Sequence, residues 1–323
     1  MTLIIIMEND DFLSLDKYPS FGNLGANEQE ILVNKIKHLF TKGKNEKWMI
    51  QYSELDIKQK IGEGNFSVVH ECTWRGLPIA VKMTKLRKIA LLNDLLNEIN
   101  LWSGIRHPNL VQFLGVSYDR NENEFCLLME KIDGSNLTQF IQRKTTSALS
   151  EKRKIHICSQ LINVFQFLHS CSPSIIYRDL KPDNIMIDQY GNVKLTDFGM
   201  SRIIPEDETY KMSGETGTIR YMAPEVYRGE IYNLKADVYS LGLVIYYIYT
   251  GIKPFNEYTT STIGTYFNSP DFIFSTSKIK NKEIRHLVNM SINRNVEERW
   301  DIEMLSSEFT RQQNNVSNDC CLS

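Results

Sequence analysis

The chain is short of several things, and each shortage removes a class of explanation. Its 323 residues hold six cysteines, at 72, 126, 158, 171, 320 and 321, with no CxxC pair and no metal-ligand spacing. A reduced compartment, here the cytoplasm, is therefore expected rather than a disulfide framework. No apolar run is long enough to span a bilayer: the most apolar segment, Val238 to Ile252, falls short of roughly 20 residues and reads as a core helix. The opening "MTLIIIM" is shorter than a signal h-region of roughly 7 to 15 residues and lacks a basic n-region, so it reads as a strand or a packing tail. Charge of one sign is missing too. A formal net charge of −2 argues against a nucleic-acid partner, which would favour a basic face. There is no internal repeat, and no low-complexity tract longer than the Thr/Ser-rich "EYTTSTIGT".

What is present is an ordinary globular composition, 42% hydrophobic and 24% charged. In residues 1–54, "ANEQEILVNKIKHLF" places Ile31, Leu32, Ile36, Leu39 and Phe40 at helical spacing. The spacing predicts one amphipathic helix ending near Gly43, either a packing extension or a regulatory element. From Leu55 to about Glu130 come short β-branched runs, "SVVHECTW" and "LPIAVKM", with one helical segment, "LLNDLLNEINLW". After a join near Glu130 to Ser135, helical periods dominate, in "NLTQFIQRK", "KRKIHICSQLINVFQFLHS", "LKADVYSLGLVIYYIYTGI" and "NKEIRHLVNMSI". The expected fold is α+β: a small β-rich lobe with one helix over 55–130, then a larger helical lobe over 136–310. Residues 311–323 read as a flexible tail.

Three clusters carry chemistry. In "IGEGNFSVV", Gly62, Gly64 and the small Ser67 make a hairpin whose backbone can approach a phosphate. Alone, the pattern is equally an ordinary hairpin, and the missing third glycine argues against a dinucleotide fingerprint. In "IAVK", Lys82 alternates with apolar neighbours and points inward with Ala80, so it needs an anionic partner. Glu98, followed by Leu101 and Trp102 on the apolar side of its helix, is the candidate. Lys and Glu beside a glycine hairpin describe a phosphate clamp. The third cluster, "YRDLKPDN" with "TDFG", brings Asp179, Lys181, Asn184 and Asp197. A carboxylate and an amide oxygen suit Mg²⁺, which keeps waters and binds through one or two carboxylates plus substrate phosphates. Asp179 is then the group that accepts a hydroxyl proton, and Lys181 a cation beside the moving phosphate.

"GEGNFSVV", "IAVK", Glu98, "YRDLKPDN", "DFG", "GTIRYMAPE", "DVYSLG" and a late Arg299 stand in an order that resembles eukaryotic protein kinases over roughly residues 55–310. Within them, "WMIQYSELDI" and "TWRGLPIAVK" look most like the tyrosine kinase-like group. The resemblance implies a bilobal kinase fold and ATP and Mg²⁺ as cofactors. Gly62, Gly64 and the backbone from Glu63 through Asn65 to Phe66 would cover the phosphates. Lys82 would bind α and β phosphates while paired to Glu98, and Asn184 and Asp197 would hold Mg²⁺. Ile61, Val69, Ala80 and Met186 would sandwich adenine, Met129 would limit the pocket behind it, and backbone from Glu130 to Ile132 would bind its edge. Glu225 would pair with Arg299, and Asp237 would brace the catalytic loop.

"DLKPDN" resembles the Ser/Thr form of that loop, so a protein serine/threonine kinase with protein substrates is implied. Dual or tyrosine specificity, a pseudokinase scaffold and a small-molecule kinase are the competing readings. Tyr177 stands where the family usually has His and is expected to pack under Phe198, with Trp102 in the same column. Between Asp197 and Glu225 an activation loop is expected, with Ser201, Thr209, Tyr210, Ser213 and Thr216. Ser213 or Thr216 would be phosphorylated by an upstream kinase or by autophosphorylation, and Arg178 would pair with that phosphate. "CCLS" fits a CaaX box, in which farnesylated Cys320 would give weak, reversible membrane attachment.

Overall fold

β-Branched and aromatic residues alternate with polar ones from Leu55 onward, and in the computed structural model these runs are strands. The structure describes residues 4–7, 11–14, 23, 25–64, 67–85, 89–119, 121–122, 124–143, 149–204, 219–269 and 272–319. The chain divides into two compact units, Met1–Arg106 with Val111–Ile132, and His107–Leu110 with Asp133–Ser323.

In the first unit, β1 (Ile4–Met7) and β2 (Asp11–Ser14) form an antiparallel pair. Helix α1 (Ala26–Asn45) follows. Strands β3 (Leu55–Glu63), β4 (Ser67–Trp74) and β5 (Leu77–Lys85) lead to helix α2 (Ile89–Gly104), then β6 (Phe113–Asp119) and β7 (Glu124–Glu130). These build one antiparallel sheet in the order β3-β4-β5-β7-β6. One face buries Ile50, Cys72, Ile79, Val81, Cys126 and Leu128 as a core. Ala80 and Lys82 alternate with these on β5, which turns them to the opposite face.

Helix α1 runs two residues past Gly43, and Gly43 is an interior contact. A Cβ there would lie 2.6 Å from the Trp48 ring, so only glycine lets the tryptophan close against the helix. Leu32, Ile36, Leu39 and Phe40 are buried as the spacing predicts, but Ile31 is 62% exposed. It sits about 100° round the helix from Leu32, at the edge of the apolar stripe.

The second unit opens with β8 (Gly134–Asn136) and α3 (Leu137–Arg143). Helix α4 (Glu151–Ser170) begins at Ser150, whose hydroxyl accepts the Arg153 N–H at 3.3 Å. Short strands β9 (Ser174–Ile176), β10 (Ile185–Asp188), β11 (Val193–Leu195) and β12 (Arg202–Ile204) pair as β11-β10-β8 and β12-β9. The "QYGN" turn between β10 and β11 closes on Gly191, at φ +87°. Then come α5 (Pro224–Tyr227), α6 (Lys235–Thr250), α7 (Thr260–Asn268), α8 (Lys282–Ser291) and α9 (Ile302–Asp319). Helix α6 is buried on every side from Ala236 to Ile248, as its uniformly apolar sequence requires. It is the axis on which α4 and α8 pack.

Two segments differ from their reading in sequence. "EYTTSTIGT" is a helix start: Thr259 accepts the Thr262 N–H at 3.2 Å and opens α7. Residues 311–319, expected as flexible tail, continue α9, where Phe309 and Gln312 are buried. Residues 320–323, with the CaaX pattern, lie outside the described residues. Among the described residues no helix is long and apolar enough to cross a membrane.

Candidate active site

The first unit presents the glycine hairpin and the Lys-Glu pair. β3 and β4 register Gly62 against Val69 and Glu63 against Val68, and Gly64 N–H donates to Ser67 O at 2.8 Å. Asn65 and Phe66, at the tip, lie outside the described residues. Ile61 is 47% exposed and Ala80 is buried. The Lys82 ammonium donates to Glu98 Oε1 at 2.8 Å, with side-chain exposures of 14% and 5%. Strand alternation and the helix side named in sequence thus bring the two charges together in a largely desolvated pair, where losing one partner strands the other. Met129 pairs with Ala80, and Glu130 with Ile79, across β5 and β7. The Glu130 N–H donates to Gln112 O at 3.0 Å.

The second unit presents the polar loop between β9 and β10. Asp237, in the first turn of α6, grips it from beneath. Its Oδ2 accepts the Tyr177 N–H at 2.8 Å and contacts His169 Nε2 at 3.0 Å, and its Oδ1 accepts the Arg178 N–H at 2.8 Å. Arg178 has φ +72°, a conformation costing a non-glycine residue about 1–3 kcal/mol, and these bonds hold it. Asp179 follows, with Oδ2 2.6 Å from Lys181 Nζ and 3.0 Å from Asn184 Nδ2, while Asn184 Nδ2 also donates to Asp179 O at 2.9 Å. Burial raises the Asp179 carboxyl above its usual range and Asp197 adds to this, with Lys181 and Asn184 opposing. The Asn184 amide nitrogen is the donor in both contacts, so its oxygen lies on the other branch.

Thr196 ties this loop to the next. Its N–H donates to Asn184 O at 2.9 Å and its hydroxyl to the same oxygen at 3.2 Å. Asp197, beside it, has φ +61° and accepts the Gly199 N–H at 3.4 Å. Met186 pairs with Lys194 on the adjoining strands. Glu225 and Arg299 form a buried bidentate pair at 2.6 and 3.0 Å.

Tyr177 packs edge-on against Phe198, centroids 5.6 Å apart, and against Phe165 at 6.0 Å. It is more than a space-filler, because its hydroxyl also donates to Thr196 O. Burial, with the charges of Asp179 and Asp197, pushes the phenol well above its ordinary range, so it stays a donor. Sequence reading missed this bond, the His169 contact with Asp237, and Tyr232, whose hydroxyl accepts from Arg178 Nη1 at 3.1 Å. A polar residue in the last turn of a helix and a tyrosine far along the chain carry no local signal; only the hydroxyl on Tyr177 advertised a bond. Ser201 is buried, its hydroxyl on Tyr177 O at 3.3 Å, which removes it from the exposed hydroxyls of the expected activation loop. Thr209, Tyr210, Ser213, Thr216 and Thr218 lie outside the described residues. Trp102 packs on Phe113 at 5.6 Å and donates from Nε1 to Val111 O at 2.9 Å.

Residues 55–309 match the family model described as the protein kinase domain. The chain is 35% identical over 218 residues to the serine/threonine-protein kinase VIK of Arabidopsis thaliana, covering 64% of this chain and 49% of that one. It is 33% identical over 213 residues to the serine/threonine-protein kinase CTR1 of the same plant, covering 64% and 25%. It is 35% identical over 218 residues to the dual specificity protein kinase pyk3 of Dictyostelium discoideum, covering 67% and 15%. The match thus spans about half the length of the first of these relatives and less of the others.

Proposed function

Given that the chain belongs to the protein kinase family, we propose that it transfers the γ-phosphate of ATP to serine and threonine hydroxyls of protein substrates. The observation that carries this is the state of Asp179, a part-buried carboxylate oriented by Lys181 and Asn184 on a loop pinned by Asp237. Asp179 accepts the proton as a substrate hydroxyl forms its bond to the γ-phosphorus and the bond to ADP breaks. Lys181 balances charge beside it. Lys82, held by Glu98, takes the α and β phosphates, and Gly62 and Gly64 let the hairpin backbone lie over them. Asn184 and Asp197, an amide and a carboxylate, suit Mg²⁺ as ligands. Held there, the metal would supply neutralisation of the phosphate charge. Ile61, Val69, Ala80 and Met129 of the first unit offer apolar surface to adenine.

Lys181, two residues after Asp179, and the names of the two plant relatives support Ser/Thr specificity. The free thiols of Cys72, Cys126, Cys158 and Cys171 support a reducing, cytoplasmic setting. The name of pyk3 favours a second reading, dual specificity. Label transfer from γ-labelled ATP to a generic protein, followed by phosphoamino-acid analysis, separates them. Phosphoserine and phosphothreonine alone are expected. Phosphotyrosine in comparable amount would replace the first reading by the second, and no transfer at all would leave a scaffold.

A further inference from the structure

We infer that the segment before the sheet, residues 26–50, is a built-in clamp that sets the rotation of α2, with Lys35 as a positioning residue for Glu98. This rests on the kinase reading, in which the Lys82–Glu98 pair belongs to the working state.

The clamp touches α2 and its surroundings at three levels. Helix α1 buries Leu32, Ile36, Leu39 and Phe40 and packs on α2, whose Leu92, Leu95, Leu96 and Ile99 are buried in turn. Two lysines on α1 then grip polar positions of α2. Lys35 Nζ reaches Asn93 Oδ1 and Asn97 Oδ1, each at 2.6 Å, and Lys42 Nζ donates to Ser103 Oγ at 3.2 Å. Beyond α1 the chain joins the sheet at its β6 edge. Val116 N–H donates to Trp48 O, and Ile50 N–H to Val116 O, both at 2.8 Å. The Trp48 ring meets Phe113 edge-on at 5.6 Å, and Phe113 meets Trp102 of α2 at 5.6 Å.

Asn93 and Asn97 are four residues apart and share one stripe of α2, while Glu98 lies about 100° round the helix from Asn97. One ammonium bridging both asparagines therefore fixes the helix about its axis and not merely in place. A rotation that withdraws Glu98 from Lys82 carries both asparagines off Lys35. The apolar contacts of α1 tolerate small rotations. The two directed bonds do not.

The test uses the 323-residue chain with Lys35→Met, which keeps an apolar stem, and Lys35→Arg, which keeps the charge. Hydrogen exchange is followed at α2 amides, with thermal unfolding as a control. The clamp predicts exchange in α2 about tenfold faster in K35M, the low end of what a bond to a charged donor is worth because the bond to Asn93 is exposed, with a near-normal rate in K35R. It also predicts a fall in kcat/KM for ATP of similar size in K35M. Unchanged α2 exchange in K35M overturns the clamp, as does faster exchange with unaltered kinetics in an active enzyme. An inactive wild-type chain would count against the kinase reading, and the exchange result alone would then decide the clamp.

Discussion

Removing one oxygen from Tyr177 separates its packing from its hydrogen bond. In Tyr177→Phe the ring keeps its edge-on contacts with Phe165 and Phe198, each worth about 0.5–1.5 kcal/mol beyond area burial. What goes is the bond from the hydroxyl to Thr196 O, at a side chain with no exposed surface. A carbonyl left without its donor costs about 1–3 kcal/mol. For a unit of this size each kcal/mol lowers Tm by roughly 2–4 °C, so a fall of about 2–12 °C is expected by calorimetry. Tyr177→Ala adds a cavity, at about 3–5 kcal/mol for an aromatic, and should fall much further. The functional signature is sharper. Thr196 precedes Asp197 and donates its N–H and hydroxyl to Asn184 O, so Y177F should need more Mg²⁺ for half-maximal phosphate transfer while Y177A loses the fold. Y177F with wild-type Tm and wild-type Mg²⁺ dependence would refute the hydroxyl's role and leave Tyr177 a packing residue.

Other expected outcomes follow from burial. Arg299→Met strands Glu225, whose partner is fully buried, and should cost about 3–5 kcal/mol in thermal or urea unfolding; a loss under 1 kcal/mol would contradict it. Ile36→Ala should destabilise the first unit by about 2–5 kcal/mol, whereas Ile31→Lys, at an exposed position of the same helix, should stay within about 0.5 kcal/mol. Burial raises the thiols of Cys72 and Cys158 and pushes Cys126 up to about 12; Cys171 is raised as well but keeps some solvent access. Native alkylation near neutral pH, mapped by mass spectrometry, should therefore spare these three relative to half-buried Cys171.

Most of the site could be read from local pattern because each element declares its own geometry. Alternation on β5 aimed Lys82 away from Val81, and the apolar positions around Glu98 turned that carboxylate inward; their meeting at 2.8 Å needed only the two inferences together. The β10–β11 hairpin followed from "QYGN" in the same way. Illegible features depended on residues far apart in sequence. His169, in the last turn of α4, finds Asp237 sixty-eight residues later, and Arg178 finds Tyr232 across fifty-four. Residues 311–319 of α9 read as tail because their sequence is polar and carries no apolar stripe, yet they continue the helix and Gln312 is buried. Ile31 erred the other way: helical spacing gives a stripe but not its width, and the neighbour that covers α1 sets the width.

The central claim is that Asp179 takes the hydroxyl proton during phosphate transfer. It is tested most directly by the single-turnover rate of label transfer from γ-labelled ATP to protein substrate in Asp179→Asn, at saturating Mg²⁺ and ATP. Asparagine keeps the volume and can still meet Lys181 and Asn184 through its oxygen, but it cannot accept the proton. Loss of the base should slow transfer by about 10²–10⁴-fold with ATP binding little changed. Transfer at the wild-type rate would contradict the account.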